Sequence, residues 1–270
     1  MPIMTTEALI ERMKGIPEFI LSKTVYEVFM SVLKHYFLSG IQKIMEVGCK
    51  YCTHHGDILM FHQVTNDYND WDDPNCSITY RSFKHLIESL VVQEKDFSAL
   101  EKISPVANIN TIYITFDDAY IDVLTQAVPI LVQHNIPFTV FISPGFLGKP
   151  KYLTIENLRE LSRMPLCTIG AHTVSHLMLR STPQEKASYE IKESGKILSD
   201  YIGKPVEFFA YPYGSLYACS KKNCLQVKSA GYKMGFSTLN CSVTTTLLKS
   251  KWFLPRQNVN EMNYLQYIKR

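Results

Sequence analysis

The sequence predicts an α/β domain with a mainly parallel sheet, and three features lead there. From about residue 56, short apolar runs alternate with helix-length stretches, the pattern of βα units. Breakers fall between them: Gly203, Lys204 and Pro205 close a long helical stretch, and Pro137 opens a strand. Before residue 56 the pattern changes. The segment 24–47 is helix-like and apolar, with Glu27, Lys34, Lys43 and Glu46 scattered through it.

The division is therefore an N-terminal helical extension over 1–55 and a main domain over 56–270. Expected strands are 58–62, 112–116, 138–142, 167–171, 206–211 and 233–237. Expected helices lie at about 80–95, 120–135, 154–163, 183–202 and 217–230. Periodicity does not choose between an open sheet and a closed barrel. The polar, acidic stretch TNDYNDWDDP at 65–74 reads as an exposed loop.

Composition narrows the function classes. The chain has 270 residues, 46% hydrophobic and 20% charged, which is enough to bury a substantial core. A formal charge of +3, with no dense Lys/Arg block, gives no reason to expect a nucleic-acid partner. No apolar run approaches the roughly 18 residues of a membrane span. The segment 24–47 is expected to pack on the domain, with a place at a membrane interface as the second reading. The seven cysteines are an odd number, and MPIMTTEALIERMKG lacks the pattern of a secretory signal. Reduced thiols in a cytoplasmic protein are the expectation. Cys49 and Cys52 in CKYCTHH invite a zinc or haem reading, yet His54 is one position late for haem and no second Cys pair follows.

The chemistry concentrates at the carboxyl ends of strands, where functional groups of parallel α/β architectures collect. The run TIYITFDDAY ends in Asp117 and Asp118 side by side; His62 follows ILMF, and His172 and His176 follow the strand before them. Two imidazoles four apart and one carboxylate can hold a metal and leave a position open for water. Adjacent carboxylates can then divide the work, one binding the ion and the other taking a proton. An Asp117–Asp118 glycosidase pair is disfavoured, because those carboxyls must flank the scissile bond about 5–9 Å apart.

These residues resemble a known family. TFDDAY is similar to the TFDDG-aromatic motif of the polysaccharide deacetylases of carbohydrate esterase family four, which include chitooligosaccharide and peptidoglycan deacetylases. GAHTVSH resembles their H-(S/T)-x-x-H motif and FAYPYG their R-x-P-(Y/F)-G segment, in the same order over roughly residues 56–258. The resemblance implies a distorted (β/α) barrel with fewer than eight strands and hydrolysis of an N-acetyl group from a sugar. It implies Asp117 as general base, Asp118, His172 and His176 as ligands of a divalent metal, and the Tyr213 amide as an oxyanion donor. Zn²⁺ suits those ligands best, and Co²⁺, Ni²⁺, Mn²⁺ or Fe²⁺ fit the same set.

The chain departs from the family in four places. No histidine follows His176, so the acid expected from a C-terminal L-x-H motif is missing; MFHQV resembles the YH-x-V strand of biofilm-polysaccharide deacetylases and makes His62 the candidate acid. Its plain alternative is a histidine bonded within the barrel mouth. The motif Gly is Ala119, and the motif Arg is Ala210. Arg256, in FLPRQNV, is the candidate to grip Asp117 in its place, against the alternative of a surface ion pair. The D-x-x-x-(D/N)-W segment that lines the family's sugar groove is not found, leaving Trp71 to stack on a sugar or cover the core.

The expected partner is an N-acetylated sugar, oligosaccharide or polysaccharide, with a lipid-linked substrate and peripheral membrane contact kept open. Two rival readings are a sugar-binding protein of this fold that has lost turnover and a hydrolase of a non-sugar amide such as a cyclic imide. The sequence leaves the oligomeric state open.

Overall fold

The computed structural model of the chain describes residues 23–269 apart from 50, 53, 72 and 106–108. Its strands are β1 (Asp57–Phe61), β2 (Gln63–Thr65), β3 (Ser77–Thr79), β4 (Asp96–Phe97), β5 (Thr111–Phe116), β6 (Phe138–Ile142), β7 (Cys167–Ala171), β8 (Phe208–Ala210), β9 (Met234–Phe236) and β10 (Gln257–Asn258). Seven of them form one parallel path, β10-β1-β5-β6-β7-β8-β9, and β4 pairs with β5 beside it. Strands β2 and β3 make a separate parallel pair.

The sheet curls into a distorted barrel. The segment leading into β10 joins its two edges: Leu254 bridges Phe236 at the end of β9, and Val259 N–H donates to Met60 O of β1. The right-handed twist of parallel strands favours such curling.

Alternation sorts the side chains into two cores. Ile58, Tyr113, Phe141, Phe208, Phe236 and Leu254 fill the interior. Leu59, Phe61, Ile114, Phe116, Val140, Ile142 and Phe209 face outward into the layer of helices. Continuously apolar strands of this kind are buried on both faces. The outer layer is dense in rings: Phe61 meets Phe83 at 5.1 Å and Phe116 at 5.5 Å.

The helices start and stop on local signals. Thr154 and Ser220 cap helices Ile155–Arg163 and Lys221–Ser229 through capping boxes with Asn157 and Asn223. Gly203, at φ 68°, ends helix Gln184–Ile202 in the left-handed region. The stretch expected at 120–135 is helical with a π-turn over Val123–Ala127 before Val128–Gln133. The expected helix at 217–230 is shorter, because Ser220 begins it only after the loop that follows β8.

Helix Lys23–Cys49 rests on the loops that follow β8 and β9. Gln42 Oε1 accepts from Leu216 N–H, Glu46 Oε1 accepts from Asn240 N–H, and His35 packs edge-on against Tyr217. None of the helices among the described residues is long and apolar enough to cross a membrane. The portion of the N-terminal extension before residue 23 lies outside the described residues.

Candidate catalytic and metal site

Strand register assembles the site. Phe61 pairs level with Phe116, and Ile142 with Ala171, so His62, Asp117 and His172 all begin loops at one end of the sheet. Asp117 N–H donates to Phe61 O at 2.9 Å and His172 N–H to Ile142 O at 3.0 Å, which holds each residue against the neighbouring strand end.

Asp117 continues the inward-facing series Tyr113, Thr115, while Leu254 and Arg256 make the matching series on the closing segment. Both therefore enter the top of the barrel. Arg256 is fully buried, and its Nη1 and Nη2 donate to Asp117 Oδ1 at 2.6 Å and Oδ2 at 2.7 Å. Its Nε donates to Ser237 O, and the guanidinium lies over the Phe141 ring at 5.2 Å. Burial pushes Asp117 up, but the guanidinium and His172 outweigh it and hold the carboxyl below its ordinary range.

Asp118, His172 and His176 bring one ligand atom each to a common point, all within 4.8 Å of one another. His172 Nδ1 lies 2.8 Å from Ala210 O, so that nitrogen carries the proton and Nε2 presents a lone pair. Burial drops His172 to about 4, so the ring is neutral at neutral pH. Its Nε2 stands 3.5 Å from Asp118 Oδ1, and His176 Nε2 stands 3.1 Å from the same oxygen. Asp118 Oδ1 is nonetheless buried with no donor aligned to it among the described residues. The His172 lone pair facing that carboxylate oxygen is repulsive unless a cation sits between them. Ligands about 2.0–2.2 Å from a tetrahedral ion stand about 3.4 Å apart, and the two distances here agree with that. The donor set fits a divalent ion.

The electrostatics point the same way. Burial raises Asp118, yet His176, His62 and His172 pull it well below the ordinary carboxylate range. Burial lowers His176, and its contact with Asp118 more than restores it, leaving it raised. His62 is half-buried and lies near both carboxylates, and its Nδ1 has no hydrogen-bond partner among the described residues.

Backbone strain gathers here. Of the non-glycine residues with positive φ among those described, Asp118, Ala119, Thr173, His176 and Tyr213 lie at the site, at 58–69°. Ala119 thus takes, with a Cβ, a conformation that glycine adopts freely. Tyr213 is half-exposed, with its ring 4.9 Å from that of His176. Its carbonyl accepts from Ser215 and Thr238, while its N–H has no protein acceptor among the described residues.

A row of rings leads away from the metal ligands: His176 to Phe146 at 5.8 Å, Phe146 to Tyr152 at 4.8 Å, and Tyr152 stacked on Tyr120 at 4.9 Å. Trp71 is engaged in its own loop, with Nε1 donating to Thr65 Oγ1 and its ring against Tyr68.

The sequence reading passed over Glu190. This buried residue of helix Gln184–Ile202 accepts from Ser175 N–H at 2.9 Å and Ser175 O–H at 2.7 Å, which fixes the loop carrying His176. An acid on the buried face of an otherwise amphipathic helix was the available signal. Cys76 was also passed over; burial, Asp73 and both site carboxylates push its thiol up to about 12.

Known proteins resemble this chain over its central part. A polysaccharide deacetylase family model matches residues 106–235. Over that stretch, about half of the chain, it resembles the polysaccharide deacetylases. The YxkH protein of Bacillus subtilis is 30% identical over 128 residues, 47% of this chain and 44% of its own length. A Staphylococcus aureus poly-beta-1,6-N-acetyl-D-glucosamine N-deacetylase is 27% identical over 173 residues, 59% of this chain and 58% of its own. The chain thus spans about half the length of these relatives. In fold it is similar to the Streptococcus pyogenes deacetylase PplD, with a TM-score of 0.69 at 20% identity over 81% of this chain and 100% of that one. IcaB from Ammonifex degensii gives a TM-score of 0.69 at 19% identity over 81% and 97%.

Proposed function

We propose that this chain is a metal-dependent hydrolase that removes N-acetyl groups from an N-acetylated sugar or glycan. The observation that carries the reading is the pairing of two carboxylates with different surroundings: Asp117 is gripped by Arg256, while Asp118 faces two imidazoles. The deacetylase relatives and the row of rings beside His176 support a sugar substrate, since sugars stack on aromatic faces.

Asp118, His172 and His176 would hold the ion, Zn²⁺ suiting a set of one carboxylate and two imidazoles. When bound, a divalent cation supplies Lewis acidity, polarising the amide carbonyl and making water more acidic. Asp117, kept ionised and oriented by Arg256, takes the proton from the attacking water; each of its oxygens retains a lone pair beyond the one that Arg256 occupies. The Tyr213 N–H donates to the oxygen on which charge develops, a contribution of about 3–4 kcal/mol in comparable sites. His62 delivers a proton to the departing amine, which leaves poorly without one.

The test is acetate release from a panel of N-acetylated sugars, oligosaccharides and polysaccharides by Zn²⁺-loaded protein. Release is expected to fall at least about a hundredfold in Asp117→Asn and in His62→Ala. Asp117→Asn keeps its metal and Asp118→Ala loses it, as read by calorimetric titration with Zn²⁺. Wild-type protein that binds one Zn²⁺ yet releases no acetate from any of them would shift the assignment to sugar binding or to another amide.

A further inference from the structure

Two thiols from distant parts of the chain meet beneath the N-terminal helix. Cys49 is the last residue of helix Lys23–Cys49, and Cys241 lies on the segment that follows β9. They are 9% and 8% exposed and share a small cluster with Leu239, covered by Leu247 and Phe253. Both side chains belong to that one buried cluster. Both also line a cavity of about 340 Å³, whose walls include Glu46, His54, Asp57 and the exposed Asn240. The cavity therefore opens the pair toward solvent.

We propose that Cys49 and Cys241 are a disulfide-forming pair that ties the N-terminal helix to the barrel. Among the described residues the helix is otherwise held by polar contacts from Ser31, Gln42 and Glu46 and by packing of His35 on Tyr217, while Tyr36, Ile44 and Val47 remain exposed. A covalent link at its last residue fixes it to the segment that also receives Arg256, whose N–H donates to Leu239 O. The link closes most of the chain into one loop, the case in which a cross-link removes the most freedom from the unfolded state.

With glutathione disulfide as oxidant the step balances. The Cys49 thiolate attacks one glutathione sulfur, forming a mixed disulfide and releasing one glutathione thiol. Cys241 then attacks the Cys49 sulfur, closing the bond and releasing the second glutathione. Two electrons pass from the cysteines to the oxidant, and the two cysteine protons end on the glutathione thiols. Burial, the neighbouring thiol and the charges of Glu46 and Asp57 raise the Cys241 thiol, and the exchange balances equally with either cysteine attacking first. Cys52, exposed three residues on, is the competing partner for Cys49.

The experiment uses the full chain equilibrated with glutathione disulfide, alkylated, digested without reductant and mapped by mass spectrometry. A cross-linked peptide joining Cys49 to Cys241 is expected in wild type and in Cys52→Ser, and absent in Cys241→Ser. Oxidation should raise the Tm of wild type and of Cys52→Ser by about 5–10 °C, and dithiothreitol should reverse it. A Cys49–Cys52 link, or recovery of Cys49 and Cys241 alkylated or singly glutathionylated in the wild type, overturns the proposal without touching the deacetylase reading.

Discussion

Arg256 and Asp117 meet as a two-point ion pair inside the barrel, 139 residues apart in sequence and both cut off from solvent. The family motif places an arginine at the position of Ala210; here the guanidinium comes instead from the segment that closes the sheet. Ala210 keeps a different task, since its carbonyl orients His172.

Removing either partner leaves the other buried and uncompensated. Arg256→Ala is expected to cost about 3–5 kcal/mol of stability. Arg256→Lys keeps the charge without the fork, so it should cost less and still lower acetate release at least about tenfold. Urea midpoints and initial rates check both. An alanine variant as stable as wild type would show that the pair does not hold the barrel mouth.

Metal-free protein should weaken on mild acidification. His172 sits at about 4 in the fold against 6.5 for an ordinary imidazole, so between those values the unfolded chain binds more protons. That contribution is complete above about pH 6.5 and falls by roughly 3 kcal/mol toward pH 4. His176 works in the opposite sense: being raised, its smaller contribution is present below 6.5 and fades as pH rises through its folded value. Asp117 and Asp118, both lowered, keep contributing until the pH drops through their folded values, below the ordinary carboxylate range. Urea midpoints measured between about pH 8 and 4 should slope for wild type and flatten in His172→Gln. Equal slopes would remove His172 as the cause.

Glu190 positions the His176 loop without touching a ligand, so its loss should appear in metal binding. Glu190→Ala leaves Ser175 N–H and O–H without their acceptor and is expected to weaken Zn²⁺ binding about tenfold or more. Glu190→Gln, which can still accept one of those bonds, should recover part of it. Titration calorimetry decides; unchanged affinity in the alanine variant would leave Glu190 a purely structural residue.

Gly214 follows Tyr213 at φ 44°, and a Cβ there would stand 2.5 Å from Thr238 Cγ2 and 2.6 Å from Thr238 N. Gly214→Ala should therefore shift the Tyr213 amide and cut kcat more than it changes KM, with a stability cost of about 1–3 kcal/mol. Gly148→Ala is the control, because its φ is also positive, at 78°, but nothing lies within 4 Å. It should lose about 1 kcal/mol and keep its kcat.

Local order was legible in the sequence because strand and helix signals are local. The runs at 138–142 and 167–171 have the bounds expected of them, since β-branched and aromatic stretches between breakers leave little freedom. Helix Gln184–Ile202 stops at Gly203 for the same reason. The aspartates and histidines at strand ends could also be read, because a parallel sheet delivers all its carboxyl ends to one side. The short β2–β3 pair, β4, β10 and the closing bridge at Leu254 gave no such signal, being too short to show a period. Only the tertiary structure decided that Arg256 reaches Asp117, that Glu190 holds Ser175, that Ala210 orients His172 and that Cys49 shares a buried cluster with Cys241. Each of these joins residues far apart in the chain, and backbone preference and hydrophobic period carry no information about which loops converge when a curled sheet closes.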